Sequence, residues 1–140
     1  MYLRQTQELT HDAAMIILQG AIAKANEMRV PQCIAIVDTG GNLLAFVRMD
    51  GAKVLSQLSA TQKAITAASS RVPTGGVPAD IEVKLSLATD NNLTNLKGGL
   101  PIVVNGQVVG AIGVGSGTGD QDVEVGQAGI EALKNAIAAA

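Results

Sequence analysis

"KGGLPIVVNGQVVGAIGVGSGTGDQD", Lys97 to Asp122, holds eight of the chain's sixteen glycines. Two apolar runs flank Asn105-Gly106, the favoured pair for a type I′ turn, so the stretch reads as a β-hairpin. A hairpin needs glycine at its turn, which leaves the others to be explained. From Gln107 to Val114 the alternation predicts Val109, Ala111 and Gly113 on one face and Val108, Gly110, Ile112 and Val114 on the other. Missing side chains weaken a strand and mark places where something approaches the backbone closely. That something is a helix of the same chain, a neighbouring subunit or a flat ligand. Beyond the hairpin, Gly115 to Asp122 connects a strand to a helix start, where free backbone N–H groups favour an anion. Asp120 and Asp122 oppose a phosphate there, so a carboxylate or a polar ligand fits better.

Working outward, "LTHDAAMIILQGAIAKANEMRVP" (Leu9 to Pro31) predicts a helix with Thr10 as N-cap and Pro31 at its end. Ala14, Ile17, Ala21, Ala25 and Met28 form its buried face. "QCIAIVDTGGNLLAFVRMDG" predicts a second hairpin about Thr39-Gly40-Gly41-Asn42, its first strand apolar on both faces and therefore central. Val54 to Ser70 predicts a helix that turns Val54, Leu55, Leu58, Ile65 and Ala68 inward. "RVPTGGVP" (Arg71 to Pro78) predicts a mobile loop, and Ala79 to Asn92 a short helix. The last helix follows Gly119, with Val123, Ile130, Leu133 and Ile137 inward and Asp120, Asp122 and Glu124 crowding its first turn. The order α-ββ-α-(α)-ββ-α predicts one α+β domain over residues 1–140, its antiparallel sheet flanked by helices.

Composition narrows the function classes. A formal charge of −2 with scattered basic residues argues against nucleic acid or an anionic membrane as partner. No run is long and apolar enough to span a bilayer, and no targeting segment is evident, so a cytoplasmic protein is the expectation. Cys33 is the only cysteine, which excludes an intrachain disulfide. The chain is 47% apolar yet has only Tyr2 and Phe46 as aromatics, so its core is aliphatic. So much apolar surface on a short chain also predicts a homo-oligomer.

Three charged residues stand out. Arg48 and Asp50 end an apolar strand, and Lys63 lies on a helix otherwise rich in Ala, Ser and Thr. A guanidinium and an ammonium beside a glycine-rich lip would hold a carboxylate or propionate; the plainer alternative is an Arg48–Asp50 pair with Lys63 solvated. His11, the only histidine, stands at a helix start and is the candidate metal ligand. No Ser/His/Asp set and no zinc or calcium motif is present.

"VPQCIAIVDTGGNLLAFVRMDGA", "QKAITAA" and the glycine-rich hairpin together resemble the GlcG/HbpS-like family of small haem-binding proteins, whose domain also forms the C-terminal part of PduO-type corrinoid adenosyltransferases. The resemblance implies a profilin-like α/β/α arrangement, haem as cofactor and assembly into oligomers. It places the polar signature on Asp38, Arg48, Asp50, Lys63, Gly98, Gly99 and Asp122. The family block reads G-V-S-G-G; here Gly113-Val114-Gly115-Ser116-Gly117 moves the hydroxyl to Ser116. Two functions follow as expectations. One is a tetrapyrrole-binding oligomer accessory to a catabolic pathway, with Arg48, Lys63, Gly98, Gly99, Ser116, Asp38 and Asp122 around the ligand. The other is an enzyme acting on a small carboxylate or hydroxy compound, with Lys63 as acid/base and Asp50 beside it. A third, plainer reading is an interaction module whose glycines serve only packing.

Overall fold

The computed structural model covers residues 1–140. Its elements are α1 (His11–Met28), β1 (Cys33–Val37), β2 (Leu43–Arg48), α2 (Ser56–Ser70), α3 (Glu82–Ala88), β3 (Gly99–Val104), β4 (Gln107–Gly115) and α4 (Gly119–Ala139). The four strands form one antiparallel sheet in the order β2-β1-β4-β3, so β1 is central as its unbroken apolar run requires. Helices α1 and α4 cover one face and α2 the other, which is the α/β/α arrangement that the family resemblance implies.

The two layers differ in thickness. Between the sheet and α1/α4 lie Ile17, Ile34, Ile36, Ile102, Ile112, Val114, Val125 and Leu133, a conventional aliphatic core. Between the sheet and α2 almost every buried side chain is alanine, including Ala35, Ala60, Ala64, Ala67 and Ala111. Small residues on both surfaces let the α2 backbone come down onto β4. An ideal Cβ built on Gly113 would overlap the Ala60 carbonyl oxygen and lie 2.5 Å from the Ala64 nitrogen. The space at strand glycines Gly99, Gly113 and Gly115 is therefore filled by this chain's own α2, and that at Gly110 by Leu9 and the Val37 carbonyl. The strip is not bare, and the expectation of a ligand lying against it is corrected.

The same close approach corrects the face assigned to α2. Its buried side is Ser56, Ala60, Lys63, Ala64 and Ala67, whereas Val54, Leu55 and Leu58 are 62%, 76% and 63% exposed. Bulk could not fit where the sheet presents glycine, so the bulky stripe faces out.

Smaller departures have local causes. α1 starts at its Thr10 cap, whose hydroxyl accepts from the Ala13 amide, but it stops at Arg29 in the left-handed region, two residues before Pro31. A bulge in β4 leaves Val109 without a partner between Ile102↔Gly110 and Val103↔Val108. Val109 thereby joins Ile112 and Val114 in the α1/α4 core, against the simple alternation. In α4 the inward residues are Asp122, Val125, Gly126, Gly129 and Leu133, while Ile137 is exposed. The segment 71–78 is irregular as predicted, yet Thr74 is buried and pins it. Its amide donates to Gly99 O, its hydroxyl donates to Leu96 O, and the same hydroxyl accepts from Gly99 N.

Candidate functional site

Lys63 projects from the buried side of α2 and Asp122 from the first turn of α4, and the two meet beneath the end of β4. The Lys63 ammonium donates to Asp122 Oδ2 at 3.0 Å and to the Val114 carbonyl at 2.8 Å. Asp122 Oδ1 accepts from the Gly117 amide at 3.0 Å. Lys63 is 4% exposed and Asp122 1%. Burial pushes the Asp122 carboxyl above its ordinary value, against the opposing pull of Lys63, the Gly117 amide and Gln32. Gln32, fully buried at the start of β1, lies against this pair, but neither its Nε2 nor its Oε1 makes a hydrogen bond of proper geometry.

This node fills the anion site expected at the start of α4. Thr118 and Gln121 close a reciprocal capping box, and the Gly117 amide is taken by Asp122. The carboxylate drawn to that helix start is the protein's own. Asp120, by contrast, is exposed, and the hydrogen bond and charge of Lys97 at 2.8 Å hold its carboxyl below its ordinary value. Gly98 is wedged at the node: a Cβ there would sit 2.9 Å from Lys63 Nζ and 3.0 Å from Asp122 Cβ. The Gly99 amide donates to Thr74.

The remaining residues singled out from the sequence lie elsewhere. Asp38 organises the β1–β2 turn, its Oδ1 accepting from the amides of Gly40 and Asn42 at 2.9 Å each. Ser116 accepts from the Lys53 amide at 2.9 Å with φ at +94°, a conformation that favours glycine. The family's usual glycine would relax that strain. Ser116→Gly is therefore expected to be at least as stable as the parent. Ser116→Ala, which keeps the strain and loses the hydrogen bond, should lose about 0.5–1.5 kcal/mol in urea unfolding.

Arg48 and Asp50 are exposed at the end of β2 and take part in no ion pair. They line an open groove of about 550 Å³ between the C-terminal end of α1 and the edge strand, with Ile22, Val47, Met49 and Arg29. Arg29, also unpaired, was not singled out from the sequence; its left-handed φ of +58° marks the helix end but not a site. Cys33, opposite Arg48 in the register, is a buried thiol pushed above its ordinary value by burial, with Arg48 acting against the shift. His11 is exposed at the other end of α1, about 27 Å from Arg29 along the helix at its usual rise per residue. The structure thus brings Lys63 together with Asp122, Gly98 and the Gly117 amide. It brings Arg48 together with Asp50 and Arg29, and sets Asp38 and His11 apart from both.

The family model described as "Haem degrading protein HbpS-like" matches residues 9–131. The chain belongs to the HbpS-like family. Among its relatives, an uncharacterised 15.0 kDa protein of the dhaT–dhaS intergenic region of Citrobacter freundii is 37% identical over 85% of this chain and 87% of its own length. Protein GlcG of Escherichia coli strain K12 is 36% identical over 76% of this chain and 80% of its own. Among solved structures, Klebsiella pneumoniae ORFY superposes with a TM-score of 0.87 at 31% identity, covering 96% of each chain. HbpS superposes with a TM-score of 0.82 at 34% identity over 94% of each chain. This HbpS-like fold also extends to the PduO C-terminal domain, solved as a haem complex, at a TM-score of 0.81 and 24% identity over 89% of this chain and 94% of that one. No helix is long and apolar enough to cross a membrane.

Proposed function

We propose that this protein binds haem or a related tetrapyrrole, as an oligomer accessory to a catabolic pathway. Membership of the HbpS-like family, described as haem-degrading, is the observation that carries the reading. The groove beside β2 supports it. Its apolar wall of Ile22, Val47 and Met49 suits a flat macrocycle, and Arg29 and Arg48 at the same groove suit its propionates. Met49 brings a soft thioether into that lining, a donor acceptable to haem iron. His11 lies too far along α1 to reach a macrocycle in the groove of its own subunit. Bound haem would supply redox and ligand-exchange chemistry at its iron; the chain supplies the apolar wall and the cations.

Lys63 reads as a structural pin. Its ammonium is enclosed and already donates to two oxygens, which leaves it poorly placed to exchange protons with a substrate. Titrating the protein with hemin and following the Soret band tests the reading. Saturation near one haem per chain, or per pair of chains, is expected, and an unshifted spectrum would reject it. Arg29→Ala and Arg48→Ala should each weaken binding by about 1–3 kcal/mol, roughly 5- to 150-fold, with unchanged circular dichroism.

A further inference from the structure

We propose that the cavity between the N-terminal segment and the end of α2 binds a small oxyanion, a carboxylate or a phosphate, held between Arg4 and Arg71. The cavity shares no residue with the groove beside β2, so this site is independent of the haem reading.

Neighbouring strands β1 and β4 run antiparallel, so the β1–β2 and β3–β4 turns lie at the same end of the sheet. The segment before α1 is tied across that end at two points. Thr39 donates its amide to Glu8 Oε1 and its hydroxyl to Glu8 Oε2, and the Leu9 amide donates to Val109 O at 3.1 Å. Residues 4–8 are thereby held as a wall, facing Arg71 and the β3–β4 turn across a cavity of about 430 Å³. That volume falls within the range of small-molecule sites, roughly 300–1,000 Å³.

The lining decides the chemistry of the ligand. Val108 is its one apolar residue, which makes the cavity a poor host for a macrocycle or any flat apolar molecule. Gln5, Gln7 and Gln107 contribute amides, which carry neutral donors. Arg4 and Arg71 contribute charge, and neither is paired with a carboxylate. Glu8, the one acid in the lining, spends both oxygens on Thr39, and Asp38 next to Thr39 accepts from the Gly40 and Asn42 amides. The two guanidiniums are the charges left without a partner. Each presents its donors in a fork that matches the oxygens of a carboxylate or phosphate.

The backbone at Arg71 adds an independent argument. Arg71 caps α2 with φ at +62°, in the left-handed region that glycine occupies at lower cost. Attraction to the helix dipole does not account for an arginine there. A cation within the last turn would gain as much without the strain, and that turn holds none. What the capping position does give Arg71 is its place on the cavity wall opposite the N-terminal segment.

Isothermal titration calorimetry of the full chain with inorganic phosphate and with succinate, in a buffer free of both, tests the proposal. At least one of the two is expected to saturate a site at millimolar concentration, and the tighter one names the group. Uncharged succinamide should not bind, and added NaCl should weaken the anion. Arg4→Gln and Arg71→Gly should each weaken binding about tenfold or more. Arg71→Gly should also be at least as stable to urea as the parent, because glycine relieves the left-handed strain; its loss of binding is then no loss of fold. Lys84→Gln, which removes an exposed cation on α3 outside the lining, should bind as the parent does. Failure of both anions to bind overturns the proposal, as does unchanged binding in the two folded arginine variants. Hemin titration of the same samples separates the two sites. A parent that binds the anion but never hemin rejects the haem reading alone, whereas an Arg71→Gly variant that loses hemin together with the anion overturns the separate site.

Discussion

Gly113→Ala is expected to prevent stable folding. The added methyl has nowhere to go, because the atoms it meets are the Ala60 carbonyl oxygen and the Ala64 nitrogen, both backbone of α2. A flexible side chain could swing aside; a helix backbone must move as a body. Lifting α2 would open the thin alanine layer and draw Lys63 off Val114 and Asp122 together. Overpacking in cores typically costs about 1–3 kcal/mol and more where backbone must shift, a large part of a small domain's stability. Gly76→Ala is the control, since a Cβ there meets nothing within 4 Å and the residue has no positive φ. It should be neutral or slightly stabilising. Urea unfolding of the pair checks the contrast, and equal stabilities would mean that α2 does not sit on β4 as described.

The second large effect is expected at the Lys63–Asp122 node, and it should be lopsided. Asp122→Ala leaves a buried ammonium with only the Val114 carbonyl and strips the Gly117 amide of its acceptor. Removing one partner of a buried pair costs about 3–5 kcal/mol. Lys63→Met should cost less, because Asp122, already pushed upward by burial, can take up a proton and become neutral. A double change to Met and Leu should be milder than Asp122→Ala alone, since no buried charge remains.

The same residue gives a pH dependence of unusual sign. With its folded value raised above the unfolded one, native Asp122 holds a proton at a pH where the unfolded chain has released it. That contribution to stability is fully present below the unfolded value and is lost as pH rises through the folded one. Relative to Asp122→Asn, which cannot titrate, the parent should gain stability as the solution is acidified through the folded value. Urea midpoints from neutral pH downward would show it; a parent that lost ground to the Asn variant would mean that Lys63 outweighs burial.

These residues were legible in different degrees. Lys63 and Asp122 were both singled out, but as cations and acids around a ligand, not as partners. The signal of their burial was present. Lys63 keeps step with Ala60, Ala64 and Ala67, and Asp122 with Val125, Gly129 and Leu133, so each lies on a helix face that must be covered. Reading the bulky stripe of α2 as its core face hid that signal. Gln32 and Thr74 gave no local sign, because their roles arise only where separate segments converge.

The sequence by itself determined the helices and hairpins, the central place of β1 and an antiparallel sheet flanked by helices. Those follow from turn chemistry, caps and the period of apolar residues, all short-range properties of the chain. Only the tertiary structure decided which side of α2 meets the sheet, that glycines of β4 admit the helix backbone, and that an acid at the α4 start turns inward to a lysine 59 positions away. Periodicity says that a face will be covered; what covers it depends on volumes and charges brought together from distant parts of the chain.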